Sequence, residues 1–142
     1  MSNQPSLKDV QELTFVDPKT KKTFVLKDRD TRGDKLFESK KDAKASLEAD
    51  AVAINDLQDA LFAGKTGSLL IVLQGIDTSG KDGTTKEAFR FTSPLGVMVH
   101  AFGKPTEEEL AHDYLWRLHK VTPRRGFISV FNRSQYEDVL VV

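Results

Sequence analysis

A short apolar run that passes directly into glycines and a lysine limits this chain more than any other feature. Ser68-Leu69-Leu70-Ile71-Val72-Leu73 is bounded by Gly67 and Gly75. Its apolar character is continuous and its centre is β-branched, which predicts a strand buried on both faces, as in a parallel sheet. Gly75-Ile76-Asp77-Thr78-Ser79-Gly80-Lys81 follows, and the pattern predicts a helix over residues 84–91. A second strand is predicted over 97–102 and a third over 126–131, with a helix between them. Strand, helix, strand, helix, strand is the order of a right-handed parallel α/β sheet.

The remaining elements fit around that unit. Leu47, Ala51, Ile54, Leu57 and Leu61 recur at three- or four-residue steps, so a helix over 34–63 is predicted with this stripe on one face. Gly64 lies where its stop is expected, and Gly67 reinforces the break. Lys104-Pro105-Thr106 opens the helix between the second and third strands, and Thr106 with Glu109 forms a capping-box pattern. The apolar stripe of that helix is Leu110, Ala111, Tyr114, Leu115 and Leu118, and Pro123 ends it. Residues 1–33 are polar and charge-rich and read as an extended arm, with Thr23-Phe24-Val25-Leu26 as an edge strand or docking segment. Residues 34–142 form the expected α/β domain.

Composition removes several function classes. Lys plus Arg and Asp plus Glu are 21 each, so the formal net charge is zero, which argues against a nucleic-acid coat or a polybasic membrane binder. No cysteine is present, so disulfides, thiolate metal sites and a cysteine nucleophile are excluded. That suits the cytoplasm. The apolar run Leu69–Leu73 is far too short to span a bilayer, and the first ten residues hold no apolar signal region.

The glycine turn carries the chemistry. Gly75 to Lys81 matches G-x-x-x-x-G-K, the opening of a phosphate-binding loop, and stands between a predicted strand and a predicted helix. Gly75, Gly80 and Gly83 allow the tight path on which the amides of residues such as Thr78, Ser79 and Gly80 converge on an anion. The helix start near Asp82 adds its positive end, and Lys81 reaches outer phosphate oxygens. The next position, usually Ser or Thr, is Asp82 here, and Asp77 sits inside the loop. Carboxylates suit Mg²⁺, so Asp77 or Asp82 is expected to support metal, with Thr84 supplying a hydroxyl. A glycine turn with no ligand is the plain alternative.

Arg133 follows the third strand in Val130-Phe131-Asn132-Arg133-Ser134. Ligands of open α/β sheets bind beyond the carboxyl ends of strands, so Arg133 is placed to approach the loop. Its plain alternative is a surface pair with Glu137 or Asp138. His112, Trp116 and His119 share a helix face, where packing and exposure explain them better than a metal does. Asp113 and Arg117 are spaced for an exposed helical ion pair. Arg124 and Arg125 read as a solvated turn.

Together these residues resemble the polyphosphate kinase type 2 family. The matching stretches are LLIVLQGIDTSGKDGTTKEAF (69–89), SPLGVMVHAFGKPTEEELAHDYLWRLHKVTPRRG (93–126) and FNRSQYEDVLVV (131–142). The resemblance implies a P-loop NTPase-like parallel sheet flanked by helices, and Mg²⁺-dependent phosphoryl transfer between polyphosphate and AMP or ADP, forming ATP in the case of ADP. It implies catalytic roles for Asp77, Lys81 and Arg133, and metal roles for Asp77 and Asn132. Asn132 stands where many members have Asp, and Ser93 where relatives often have Asn. Glu137 resembles the branch that accepts both AMP and ADP. A cytoplasmic homo-oligomer is implied too, and the chain is expected to stop before the family's lid. Two other readings are an ATP-using nucleoside monophosphate kinase, which Asp82 disfavours, and a noncatalytic phosphate-binding or oligomer-forming module.

Overall fold

A computed structural model describes residues 5–8, 10 and 36–137. The strand expected at 23–26, most of the arm over 1–33, and Asp138 lie outside the described residues. The chain divides into two compact units, Met1–Glu48 and Ala49–Val142. The first holds the start of helix α1 (Lys40–Gly64). The second holds the rest of α1, then β1 (Leu69–Leu73), α2 (Lys81–Ala88), β2 (Val97–Ala101), α3 (Glu107–Leu110), α4 (Trp116–His119) and β3 (Ile128–Asn132).

Helix α1 starts later than its stripe suggested. Residues 36–39 are not helical, and the Ser39 hydroxyl accepts the Asp42 N–H at 3.2 Å, which caps the first turn. The helix runs through Gly64, and Lys65 takes the left-handed turn with φ 50° while its N–H reaches the Leu61 carbonyl. The buried face also differs from the predicted stripe. Ala51 and Gln58 are buried, whereas Leu57 is 71% exposed and Leu47 is exposed. Polar Gln58 is accommodated because its Oε1 accepts the Ser93 N–H at 3.2 Å. Phe62 then meets Phe127 edge-on, with ring centroids 5.4 Å apart.

The sheet is parallel throughout, in the order β1-β3-β2. Leu69 and Val97 both pair with Ile128, and Leu73 and Ala101 both pair with Asn132. The predicted doubly buried strand was β1, but the structure gives that place to β3. Ile128, Ser129, Val130 and Phe131 are all buried, because β3 has a neighbour on each side. Leu69, Leu70 and Val72 of β1 are exposed. Phe131 packs edge-on to Phe102 at 4.9 Å, and Leu118 completes that core with Leu115 and Val121 against it.

The single helix expected between β2 and β3 is two short ones. The capping box forms as read: the Thr106 hydroxyl accepts the Glu109 N–H and the Glu109 carboxylate accepts the Thr106 N–H. The first helix stops at Leu110 because Asp113 offers the backbone another partner. Its carboxylate accepts the Leu115 N–H at 2.9 Å and its carbonyl accepts the Trp116 N–H at 2.8 Å. Leu110 and Tyr114 are consequently exposed, and only Leu118 of the predicted stripe is buried. Arg117, expected on the surface, is 6% exposed: it donates to the Gly103 carbonyl, lies 3.7 Å from Glu109 and covers the Phe102 ring. His112, Trp116 and Lys120 form an outer stack, and Arg124 lies over Phe127. Among the described residues no helix is long and apolar enough to cross a membrane.

Candidate functional site

Three strands in parallel register end level with one another, so the loops that follow them meet at one edge of the sheet. Between these loops lies an open cleft of about 610 Å³. It is lined by residues 77–83 of the glycine loop, residues 101–103 after β2, and Asn132 and Arg133 after β3. Asp77, Thr78, Ser79, Gly80, Lys81, Asp82 and Gly83 thus line one surface. Gly75 lies at the root of the loop, and Thr84 lies in the first turn of α2, where its N–H donates to the Gly80 carbonyl at 2.8 Å.

The loop's path requires two left-handed residues. Gly80, with φ 87°, caps α2 at no steric expense. Thr78 is left-handed as well, with φ 70°, and so is Arg133 beyond β3, with φ 73°. Left-handed backbone at non-glycine residues costs on the order of 1–3 kcal/mol and clusters where ligands are held. Both strained residues line the same cleft.

Lys81 folds back over its own loop. Its ammonium donates to the Gly75 and Ile76 carbonyls, each at 2.8 Å, and to the Ser79 hydroxyl at 3.3 Å. Arg133 bridges the two loops. Its Nη2 is 2.7 Å from Asp77 Oδ1, and its Nη1 is 2.7 Å from Glu137 Oε1. The expected approach of Arg133 to the loop and its plain pairing with Glu137 therefore occur together. The two partners differ in strength. The Asp77 side chain is 84% exposed, so its pair is of the kind that contributes about 0–1 kcal/mol. The Glu137 side chain is only 9% exposed and is held from behind. An incoming anion can displace Asp77 readily while Glu137 keeps the guanidinium in place.

Gln74 and Ser134 supply that support, and the sequence alone assigns neither of them a role. Gln74 Nε2 donates to Glu137 Oε2 at 3.2 Å, and Ser134 Oγ donates to Gln74 Oε1 at 2.9 Å. Arg117 was likewise missed as a support of the cleft wall at Gly103.

Asn132 donates through Nδ2 to Asp82 Oδ1, which leaves its Oδ1 buried with no hydrogen-bond partner. An orphaned buried oxygen beside Asp82, with Asp77 lining the same cleft, offers oxygen donors of the type Mg²⁺ prefers. Among the described residues no group of three His, Cys, Asp or Glu side chains converges. Mg²⁺ typically needs only one or two protein oxygens, with phosphate and water completing the octahedron, so these residues fit it.

Comparison with known proteins gives one family. The model of the polyphosphate kinase 2 (PPK2) family matches residues 37–142. The chain is 49% identical over 122 residues to an AMP/ADP-polyphosphate phosphotransferase of Meiothermus ruber, covering 84% of this chain and 45% of that protein. It is 39% identical to an ADP-polyphosphate phosphotransferase of Rhodopseudomonas palustris, covering 79% of this chain and 39% of the relative. The fold matches the crystal structure of polyphosphate kinase 2 from Arthrobacter aurescens TC1 with TM-score 0.77 and 41% identity, over 83% of this chain and 44% of that one. The chain thus spans less than half the length of each of these relatives.

Proposed function

The chain belongs to the polyphosphate kinase 2 family, and from that membership we propose that it handles phosphate in a Mg²⁺-dependent transfer between inorganic polyphosphate and a nucleoside mono- or diphosphate. The observation that carries this reading is the arrival of Lys81 and Arg133, from opposite ends of the sequence unit, at one cleft lined by the glycine loop. ADP is the first acceptor proposed, forming ATP. AMP is the second, supported by the similarity to the AMP/ADP-polyphosphate phosphotransferase of Meiothermus ruber and by Glu137 beside Arg133.

The chemistry asked of the protein is positioning and charge compensation. A terminal phosphate oxygen of the nucleotide attacks the end phosphorus of polyphosphate. The P–O bond to the next phosphate breaks, and the shortened chain leaves with the electron pair. Charge spreads over the oxygens of the moving phosphoryl group. Lys81 exchanges its contacts with the Gly75 and Ile76 carbonyls for these oxygens. Arg133 releases exposed Asp77 and keeps Glu137, so its fork meets the phosphate already oriented. Backbone N–H groups of Thr78 and of residues 80–83 add fixed dipoles, whereas the expected Ser79 N–H instead donates to the Ile76 carbonyl at 3.2 Å. Mg²⁺, when bound, offsets phosphate charge, and Asn132, Asp77 and Asp82 are the residues of this chain that would hold it. A cytoplasmic homo-oligomer is part of the same proposal and rests on the family resemblance and the cysteine-free composition.

The test is ATP formation by the purified 142-residue chain with ADP, long-chain polyphosphate and Mg²⁺, beside Lys81→Ala. ATP that disappears in the variant, and with EDTA, is the expected result. Turnover unchanged in Lys81→Ala removes the loop from the reaction. A folded chain that binds polyphosphate and turns nothing over is a binding module, and one that prefers ATP as donor is a monophosphate kinase.

A further inference from the structure

We propose that Gln74 is a positioning residue: it fixes the Glu137 carboxylate as the permanent clamp on Arg133, and so determines where the guanidinium waits for phosphate. The inference rests on the reading of the cleft as a phosphate site and adds a residue that the loop motif does not contain.

Arg133 Nη1 engages Glu137 Oε1 at 2.7 Å. A glutamate four residues on, where the chain turns helical again, has several rotamers, and this contact alone does not fix one. Gln74 does, because its Nε2 holds the other oxygen, Oε2, at 3.2 Å. Gln74 is itself an exposed residue following an edge strand and needs orientation. Ser134, 1% exposed, gives it one: Ser134 Oγ donates to Gln74 Oε1 and accepts the Tyr136 N–H at 3.2 Å. A hydroxyl that donates to Gln74 and accepts from Tyr136 defines which end of the amide faces Glu137. Donation therefore runs from the Tyr136 N–H to Ser134, from Ser134 to Gln74 and from Gln74 to Glu137, and Arg133 donates to the same carboxylate from the cleft side, so Glu137 is the common acceptor at which the chain and the cation meet.

Position in the fold makes this a device for joining loops. Gln74 directly follows β1, while Arg133, Ser134 and Glu137 follow β3. The backbone pairs the same two loops, with the Arg133 N–H on the Leu73 carbonyl at 2.9 Å. Gln74 repeats that link at side-chain level, one residue further out. Through it the root of the glycine loop and the Arg133 fork hold one spacing, so Lys81 and Arg133 meet the same phosphate in register. Glu137 is buried and is not among the residues that line the cleft, so it acts on substrate through Arg133.

The experiment uses the full 142-residue chain and two readouts. The first is the ¹H–¹⁵N signals of the Arg133 guanidinium in the ligand-free protein at low temperature. A guanidinium clamped at Nη1 and Nη2 rotates slowly and gives resolved Nη signals. Gln74→Leu is expected to average them, as Glu137→Gln does, at a temperature where the rest of the spectrum shows the fold intact. Gln74→Glu, which keeps the acceptor for Ser134 and removes the donor to Glu137, is expected to reproduce the loss. The second readout is tripolyphosphate affinity, expected to weaken about tenfold in Gln74→Leu, the scale of one hydrogen bond to a charged group. The double variant Gln74→Leu/Glu137→Gln should bind no more weakly than Glu137→Gln alone, because Gln74 acts only through Glu137. A purely structural role gives additive losses. Unchanged Arg133 signals in Gln74→Leu, or an additive cycle, overturns the proposal. Failure of the unaltered chain to bind tripolyphosphate overturns the phosphate-site reading instead, and the ligand-free spectra still decide the role of Gln74.

Discussion

Replacing Gly96 by alanine tests how the sheet is seated on α1. Gly96 directly precedes β2, and its carbonyl accepts the Ile128 N–H at 2.9 Å. A Cβ there would lie 2.0 Å from Gln58 Nε2, 2.9 Å from Gln58 Cδ and 3.3 Å from Phe62 Cδ2. The end of a glutamine can normally swing aside, but Gln58 is 1% exposed and its Oε1 holds the Ser93 N–H. Overpacking of a filled site costs about 1–3 kcal/mol. Loss of the Ser93 bond adds about 0.5–1.5 kcal/mol. The expected destabilisation is therefore about 2–4 kcal/mol, and with a urea m-value of about 2 kcal/mol/M the midpoint falls by about 1–2 M. Gly83→Ala is the control. Gly83 lies inside α2 with nothing within 4 Å of its Cβ position, so alanine there should raise stability by about 0.5–1 kcal/mol through helix propensity. In a Gln58→Ala background, Gly96→Ala should lose most of its effect, because the atoms it strikes are gone. A change below about 0.5 kcal/mol for Gly96→Ala in the unaltered background refutes the reasoning, as does an equal effect with and without Gln58.

Two further outcomes follow from the site and its wall. Arg133→Lys keeps the charge but cannot span Asp77 and Glu137 with one fork, so tripolyphosphate affinity measured by calorimetry should fall about tenfold with the folded state intact. Thr106→Ala removes the hydroxyl acceptor of the capping box, whose two bonds are 3.2 and 2.8 Å. It should lower stability by about 1 kcal/mol, read as a shift in the urea midpoint.

What the sequence reveals follows the range of the interaction involved. The glycine loop, the capping box and the three strands are local patterns, and each appears within one or two residues of its expected place, whereas α2, expected over 84–91, lies three residues earlier at Lys81–Ala88. The break between α3 and α4 is local as well, but it depends on one aspartate competing for backbone donors inside an otherwise helical stripe, so periodicity overrode it. Burial was less legible. Nothing in Leu69–Leu73 says that it takes an outer place while Ile128–Asn132 takes the centre, because strand order is a property of the crossovers. Arg117 reads as a surface cation until the Gly103 carbonyl and the Phe102 ring arrive from another element.

The candidate site shows the same division inside a few ångströms. Lys81 and the loop glycines are visible because one turn contains their geometry. Arg133 is visible by rule, since it follows a strand of a parallel sheet. Gln74 is invisible, because its partners Glu137 and Ser134 lie 63 and 60 residues away. Its role exists only once β1 and β3 are paired in register, with Leu73 beside Asn132. A one-residue slip in that pairing would turn the side chains of one strand to the opposite face. The groups that bind phosphate are thus encoded locally, whereas the distance between them is encoded in the strand register. Substitutions that shift β3 against β1 should impair the cleft even with Lys81, Asp77 and Arg133 unchanged. In such a variant the Arg133 guanidinium signals would average before the protein unfolds, whereas a site held by its local loops alone would keep them resolved up to the unfolding transition.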